Sequence, residues 1–159
     1  MPQLVKGGKH VFGWSRVTDR GEIMVPPEAV REYDLEDSDA LVVLPGSRRS
    51  GGFGLSPRQA FGRSSLAVVL EEHPELGQPR IPEGEIVEHG GRPFCWTALR
   101  RGAVRLPAGT LAGYGIRSGD RLLVIRGSGL AVGFAVRGPI VDEARRHAGL
   151  PVFEPETCR

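Results

Sequence analysis

The stretch "GEIMVPPEAVREYDLEDSD" (Gly21–Asp39) returns 81 residues later as "GAVRLPAGTLAGYGIRSGD" (Gly102–Asp120). Extended to Arg20–Ser47 and Arg101–Ser128, the two segments align without a gap. Nine of the 28 pairs are identical, among them Gly21/Gly102, Pro26/Pro107, Tyr33/Tyr114 and Asp39/Asp120. Six more exchange one aliphatic residue for another. The identities fall on turns and apolar positions, where backbone conformation and packing restrict the choice. The chain is therefore read as an internal duplication, and the repeat sets the unit in which everything else is interpreted.

Each unit begins with a strand, about His10–Val17 or Phe94–Leu99, and reaches a polar turn, "TDRG" or "LRRG". A second strand follows with period-two alternation: Ile23 and Val25 face inward, Glu22 and Met24 outward. Pro26-Pro27 or Pro107 then opens a helix of about two turns, because proline suits the first turn, where its missing N–H has no partner to lose. Val30 and Tyr33, or Leu111 and Tyr114, share one helix face. Gly115 ends the second helix by admitting a left-handed backbone, and Asp34 tolerates the same conformation in the first. "ALVVL" and "RLLVI" are apolar on both faces, so these strands are expected to be covered on both sides. After a glycine-rich turn, a last strand is expected near Phe53–Ser56 and Leu130–Val136. A second helix follows in each unit, about Ser65–His73 and Pro139–His147. Residues 74–93 read as a linker with a short strand at Glu85–Glu88 and a turn at "HGG", and Pro155–Arg159 as loose. The division is 6–73 for the first unit with its helix, 74–93 for the linker, 94–150 for the second unit with its helix, and 151–159 for the tail.

Composition bounds the class. A chain of 159 residues, 40% hydrophobic and 25% charged, suits a globular protein of one domain or two small ones. High glycine (23) and proline (13) favour many short elements. No apolar run reaches the length of a membrane span, and the N-terminus lacks the pattern of a secretory leader, so the expected compartment is the cytoplasm, away from membranes. Cys95 and Cys158 offer neither a disulfide framework nor zinc spacing. The net charge of +2 says little, but its distribution is uneven. Residues 6–49 carry seven Lys/Arg against eight Asp/Glu, whereas 92–126 carry seven Arg against Asp120 alone.

The order of signals in "RVTDRGEIMVPPEAVREYDLEDSDALVVL" (Arg16–Leu44) and "ALRRGAVRLPAGTLAGYGIRSGDRLLVI" (Ala98–Ile125) resembles the AbrB/SpoVT swapped-hairpin domain, the fold shared by antitoxins of the MazE type. The resemblance covers about 45 residues per unit. It implies a mainly β fold with short helices, in which two tandem copies interleave their hairpins into one small β-barrel, an intrachain pseudo-dimer with one extra helix after each copy. A unit of this size does not bury enough apolar surface alone, and a tandem copy supplies the missing cover at high effective concentration. A slightly acidic copy beside a basic one also attracts where two basic copies would repel.

The resemblance further implies a transcription regulator that contacts duplex DNA through basic residues near the first turn and the helix. On this chain those are Arg16, Arg20 and Arg31 in the first copy and Arg100, Arg101 and Arg105 in the second. Arginine is suited to both phosphate and guanine by its bidentate fork. Two departures stand against it. Family members often carry a basic residue directly after the turn glycine, where this chain has Glu22 and Ala103, and Arg31 becomes Ala112 in the second copy. The alternative is a non-enzymatic protein-interaction or sensory module on the same fold that has lost DNA binding. Further self-association of pseudo-dimers is left open, as is the role of the second helices.

Nothing in the sequence announces an enzyme, a cofactor or a metal. "GGFG" and "GSGLAVG" lie between expected strands, as hairpin turns do, whereas a phosphate cradle leads into a long helix. His10, His73, His89 and His147 have no second ligand at a recognisable spacing, and His73 and His147 suit the negative end of a helix. No serine sits in a nucleophile elbow. Trp14 and Trp96 read as packing residues within or between the copies.

Overall fold

The computed structural model describes residues 10–37, 40–78, 80–127 and 129–155. The start of the first unit at Lys6, the repeat identities at Asp39 and Ser128, Cys158 and the end of the tail lie outside the described residues.

The protein is mainly β with several short helices. The first unit supplies β1 (Val11–Arg16), β2 (Glu22–Met24), helix α1 (Pro27–Glu32), a 3₁₀ turn at Leu35–Asp37, β3 (Leu41–Pro45) and β4 (Phe53–Pro57). Helices α2 (Arg58–Gly62), α3 (Ala67–Glu72) and α4 (Pro74–Gly77) follow, then β5 (Val87–His89). The second unit repeats the order as β6 (Arg92–Thr97), β7 (Ala103–Arg105), α5 (Ala108–Gly113), β8 (Arg121–Arg126) and β9 (Val132–Ala135). Helix α6 (Pro139–Arg145) and β10 (Val152–Phe153) complete the chain.

Eight strands form one sheet in the order β10-β1-β8-β9-β4-β3-β6-β5, and β2 pairs with β7 in a separate two-stranded ribbon. Exchange of the copies maps the inner six strands onto themselves. Strand β1 of the first copy pairs antiparallel with β8 of the second, and β6 of the second with β3 of the first. The β4–β9 and β2–β7 pairs join the copies as well. The ladder ends at β10 and β5 and does not close into the barrel expected from the resemblance. Two residues of the tail run parallel to β1 and three of the linker run antiparallel to β6, so the outer edges of those strands are already covered.

Alternation places successive residues of the central strands in different cores. Leu41, Val43, Leu122 and Val124 join the main core, which also takes Ile23, Leu35, Phe53, Val104, Ile116 and Phe134. Phe53 and Phe134 are register partners across the copies, and their rings stack with centroids 4.8 Å apart. The intervening Val42 belongs to a second cluster, under Phe61, Val69 and Leu76 from the helices after the first copy. Leu123 and Ile125 belong to a third, under Val141 and Ala144 of α6. These strands are thus covered on both faces, as their composition required.

All the described α-helices except α3, which starts at Ala67, begin at or directly after a proline. Pro27 stands at the first position of α1, Pro74 of α4 and Pro139 of α6. Asp34 and Gly115 adopt the left-handed backbone expected at the helix ends (φ 53° and 78°). Three differences from the sequence reading concern the segments outside the repeat. The first copy is followed by three short helices instead of one. The residues read as a linker contain α4, β5 and the start of β6. The tail contributes β10, with Trp14 N donating to Pro151 O at 2.9 Å. Pro74 accounts for the break between α3 and α4: it ends α3 at His73 and opens the next turn.

Candidate nucleic-acid interface

The β2–β7 ribbon takes one strand from each copy. Glu22 lies opposite Arg105, Ile23 opposite Val104, and Met24 opposite Ala103. Ile23 and Val104 are buried in the main core, so the outer face presents Glu22, Arg105, Met24 and Ala103. Each hairpin turn holds the other copy's strand: Leu106 N donates to Gly21 O at 3.0 Å and Val25 N to Gly102 O at 2.8 Å.

The two turns are built differently. In the first, Thr18 N donates to Glu22 O at 3.0 Å, and the Glu22 N–H returns to Thr18 Oγ1 at 3.0 Å. In the second, Arg100 and Ala103 exchange backbone hydrogen bonds at 2.9 and 3.0 Å across a two-residue loop. Both loop residues, Arg101 and Gly102, have positive φ (54° and 77°), as a type I′ hairpin requires. Glycine takes this conformation without penalty; arginine is strained by it. The strain falls on an exposed cation at the tip of a hairpin.

Beside the ribbon lies a cleft of about 890 Å³. Arg20, Arg100 and Arg105 line it, and so do Asp19, Glu22 and Glu83. The structure therefore brings three of the six sequence candidates together, with Arg101 on the adjoining turn. Arg16 and Arg31 do not line the cleft. Arg16 ends β1 opposite Arg121 and pairs with Glu154 at 3.5 Å. Arg31 is exposed in the last turn of α1.

Glu83, from the linker, organises the cleft. Its carboxylate accepts from Thr97 Oγ1 at 2.7 Å, from Ala98 N at 2.8 Å, and from Arg100 Nη1 at 2.8 and 3.0 Å. Burial pushes its carboxyl upward, but the donors from Ala98, Thr97 and Arg100 outweigh burial and hold it below the usual range. Arg100 is thus engaged by an acid. Arg105 donates Nε–H to Arg20 O at 3.3 Å. Among the described residues, Arg20, Arg31, Arg101 and Arg105 make no ion pair, which leaves Arg20, Arg101 and Arg105 as the available cations around the ribbon.

Two groupings escaped the sequence reading. A second cleft of about 660 Å³ is lined by Arg121, Arg137, Arg145 and His147, above Trp14 and Val152. These cations come from separate segments, and several are occupied: Arg137 donates to Arg48 O at 2.8 Å, Arg145 lies 3.6 Å from Asp142, and His147 lies 3.6 Å from Glu143. The other grouping joins Glu72, His73 and His89, whose potential ligand atoms all lie within 4.8 Å of one another. Spacing along the chain gave no hint of it, because the two histidines are 16 positions apart.

Trp14 is buried under α6, and Trp96 donates its indole N–H to Ile81 O at 2.8 Å, so both serve packing. Cys95 is fully buried beside Tyr114, and burial pushes its thiol up to about 12. No helix among the described residues is long and apolar enough to cross a membrane. No protein-family model, curated protein or solved structure matches the chain.

Proposed function

We propose that this protein is a DNA-binding transcription regulator of the AbrB/SpoVT type, in which two tandem swapped-hairpin units complete each other within one chain. In this reading residues 6–73 and 94–150 are the two units, 74–93 join them, and 151–159 are an appendage. The protein is non-enzymatic and works in the cytoplasm. One observation carries the reading: the second strands of the two copies pair as an antiparallel ribbon with a half-exposed outer face, and Arg20, Arg101 and Arg105, which make no ion pair among the described residues, stand at its turns and edge. A two-stranded ribbon fits the major groove, and arginines beside it reach phosphates or guanine edges.

The test is fluorescence polarisation with a mixed-sequence duplex across a salt series. With three or four phosphates neutralised, affinity falls roughly 40–150-fold between 50 and 200 mM salt. Replacing Arg20, Arg101 and Arg105 together by alanine flattens that slope by about three. No binding at micromolar protein, or a triple variant that binds like the parent, refutes the proposal.

The carboxylates of Asp19, Glu22 and Glu83 in the same cleft favour a second reading. They match its three arginines in number and oppose an approaching phosphate. On that reading the fold is a protein-interaction or sensory module, and the titration shows no salt-sensitive binding.

A further inference from the structure

We propose that Glu72, His73 and His89 form a binding site for a borderline transition-metal ion, with zinc the fitting occupant. The three side chains come from two elements. Glu72 ends α3 and His73 caps it; His89 ends β5, next to the "GG" turn. Consecutive helical residues normally point about 100° apart and do not share a ligand. His73 escapes this because its backbone has left helical geometry (φ −130°, ψ 69°). Its ring therefore swings toward β5.

The distances suit a small ion. His89 Nδ1 lies 3.2 Å from Glu72 Oε2. Two ligand atoms at tetrahedral angles and bonds of about 2.0–2.1 Å are about 3.3 Å apart. That edge of the coordination polyhedron is already present. The remaining separations, none above 4.8 Å, close by side-chain rotation. The rings of His73 and His89 stand perpendicular with centroids 5.4 Å apart, and His89 rests edge-on against Phe94 at 6.2 Å. Glu75, in the first turn of α4, lies 3.5 Å from His73 Nδ1. It is placed to accept that ring's N–H and turn Nε2 toward the ion, as carboxylates do behind metal-bound imidazoles.

Two imidazoles and one carboxylate select zinc, nickel or copper over magnesium and calcium, which prefer all-oxygen sites. Three protein ligands leave a fourth position open. Glu72 is exposed and both histidines are partly exposed, so the ion enters from solvent. Binding would clip β5 to the α3–α4 corner, over the cluster of Phe61, Val69, Leu76 and Phe94. The inference is independent of DNA binding.

The test uses the full chain after treatment with chelator. Isothermal titration with zinc chloride should give one site per chain, and zinc at 100 times its Kd should raise Tm by about 5–10 °C. Magnesium chloride should do neither. His73→Gln and His89→Gln should each abolish the shift, and Glu75→Gln should weaken binding about 10–100-fold. Glu72→Gln, at an exposed helix end, secures the test should a histidine variant fold poorly; it should weaken zinc without changing the metal-free Tm by more than a degree or two. His147→Gln and Cys158→Ser should bind like the parent. Absence of a zinc-dependent shift, a shift that survives His89→Gln, or one lost with His147→Gln or Cys158→Ser overturns the proposal.

Discussion

Replacing Glu83 by alanine separates the structural role of the candidate interface from its binding role. The substitution removes every acceptor that Thr97 Oγ1, Ala98 N and Arg100 Nη1 use at this side chain. The Arg100 pair counts for little: that guanidinium is 61% exposed, and such pairs contribute about 0–1 kcal/mol. The loss lies with the two inner donors. Thr97 is fully buried, and an abandoned donor costs about 1–3 kcal/mol. Glu83 itself is 22% exposed, so water reaches the vacated position and the lower end applies to each donor. The sum is about 2–3 kcal/mol, or a fall in Tm of about 4–12 °C for a chain of this size.

The pH dependence checks the cause. The folded carboxyl titrates below its unfolded value, so the stabilisation is complete above the unfolded value of about 4.3 and is lost as pH falls through the depressed folded value. Calorimetric melts of parent and Glu83→Ala should therefore differ most at neutral pH and converge in the acid range. Glu83→Gln keeps one acceptor oxygen and should lose only about 1 kcal/mol. It also releases Arg100, so under the proposed function it should bind duplex DNA more tightly, with a salt slope steeper by about one. An alanine variant melting within a degree of the parent at pH 7, or a gap that persists unchanged at pH 3, refutes the account of Glu83.

The equivalent turn glycines should respond unequally. A Cβ on Gly21 would meet Leu106 O at 2.2 Å, whereas one on Gly102 meets nothing within 4 Å. Gly102→Ala should cost about 1–2 kcal/mol of φ strain, and Gly21→Ala clearly more, as urea melts would measure. Arg101→Asn should raise Tm by about 1–3 °C, because asparagine tolerates the left-handed backbone, while flattening the salt slope of DNA binding by about one. In a Cys158→Ser background, Cys95 should react with a thiol reagent at pH 8 only when urea unfolds the chain, since it is buried and its thiol is pushed up to about 12.

The sequence made local structure legible where one residue type had one physical use. Prolines marked helix starts, the alternation around Ile23 and Val25 marked a half-buried strand, and the unbroken apolar run Leu41–Leu44 marked a strand with two covers. Partners were less accessible. Nothing local distinguishes β1 pairing with β8 from β1 pairing with β3, since both carry the same apolar pattern. The choice of β8 follows from the copies completing each other, and only the duplication hinted at that. The functional candidates divide in the same way. Arg100 is recognisable as a turn cation, but its engagement by Glu83 depends on how residues 74–93 fold back across β6, and that segment has no period to read. Glu72, His73 and His89 were hidden for the same reason, with the added obstacle that two of them are consecutive.

The ribbon shows what fusion of the copies changes. In the repeat, Met24 corresponds to Arg105 and Glu22 to Ala103. A ribbon formed by two first copies would place Glu22 opposite Met24 at both ends, and one formed by two second copies would place Ala103 opposite Arg105 at both ends. The fused chain instead gathers Glu22 and Arg105 at one end and Met24 and Ala103 at the other. One end is charged and the other apolar, although the backbone keeps its two-fold pairing. A two-fold protein surface matches a palindromic site, because each half meets the same chemistry. This ribbon gives its halves different chemistry. On the proposed function, the preferred DNA site is therefore non-palindromic, with the Arg105 end fixing its direction, and sites enriched from a random pool should lack two-fold symmetry.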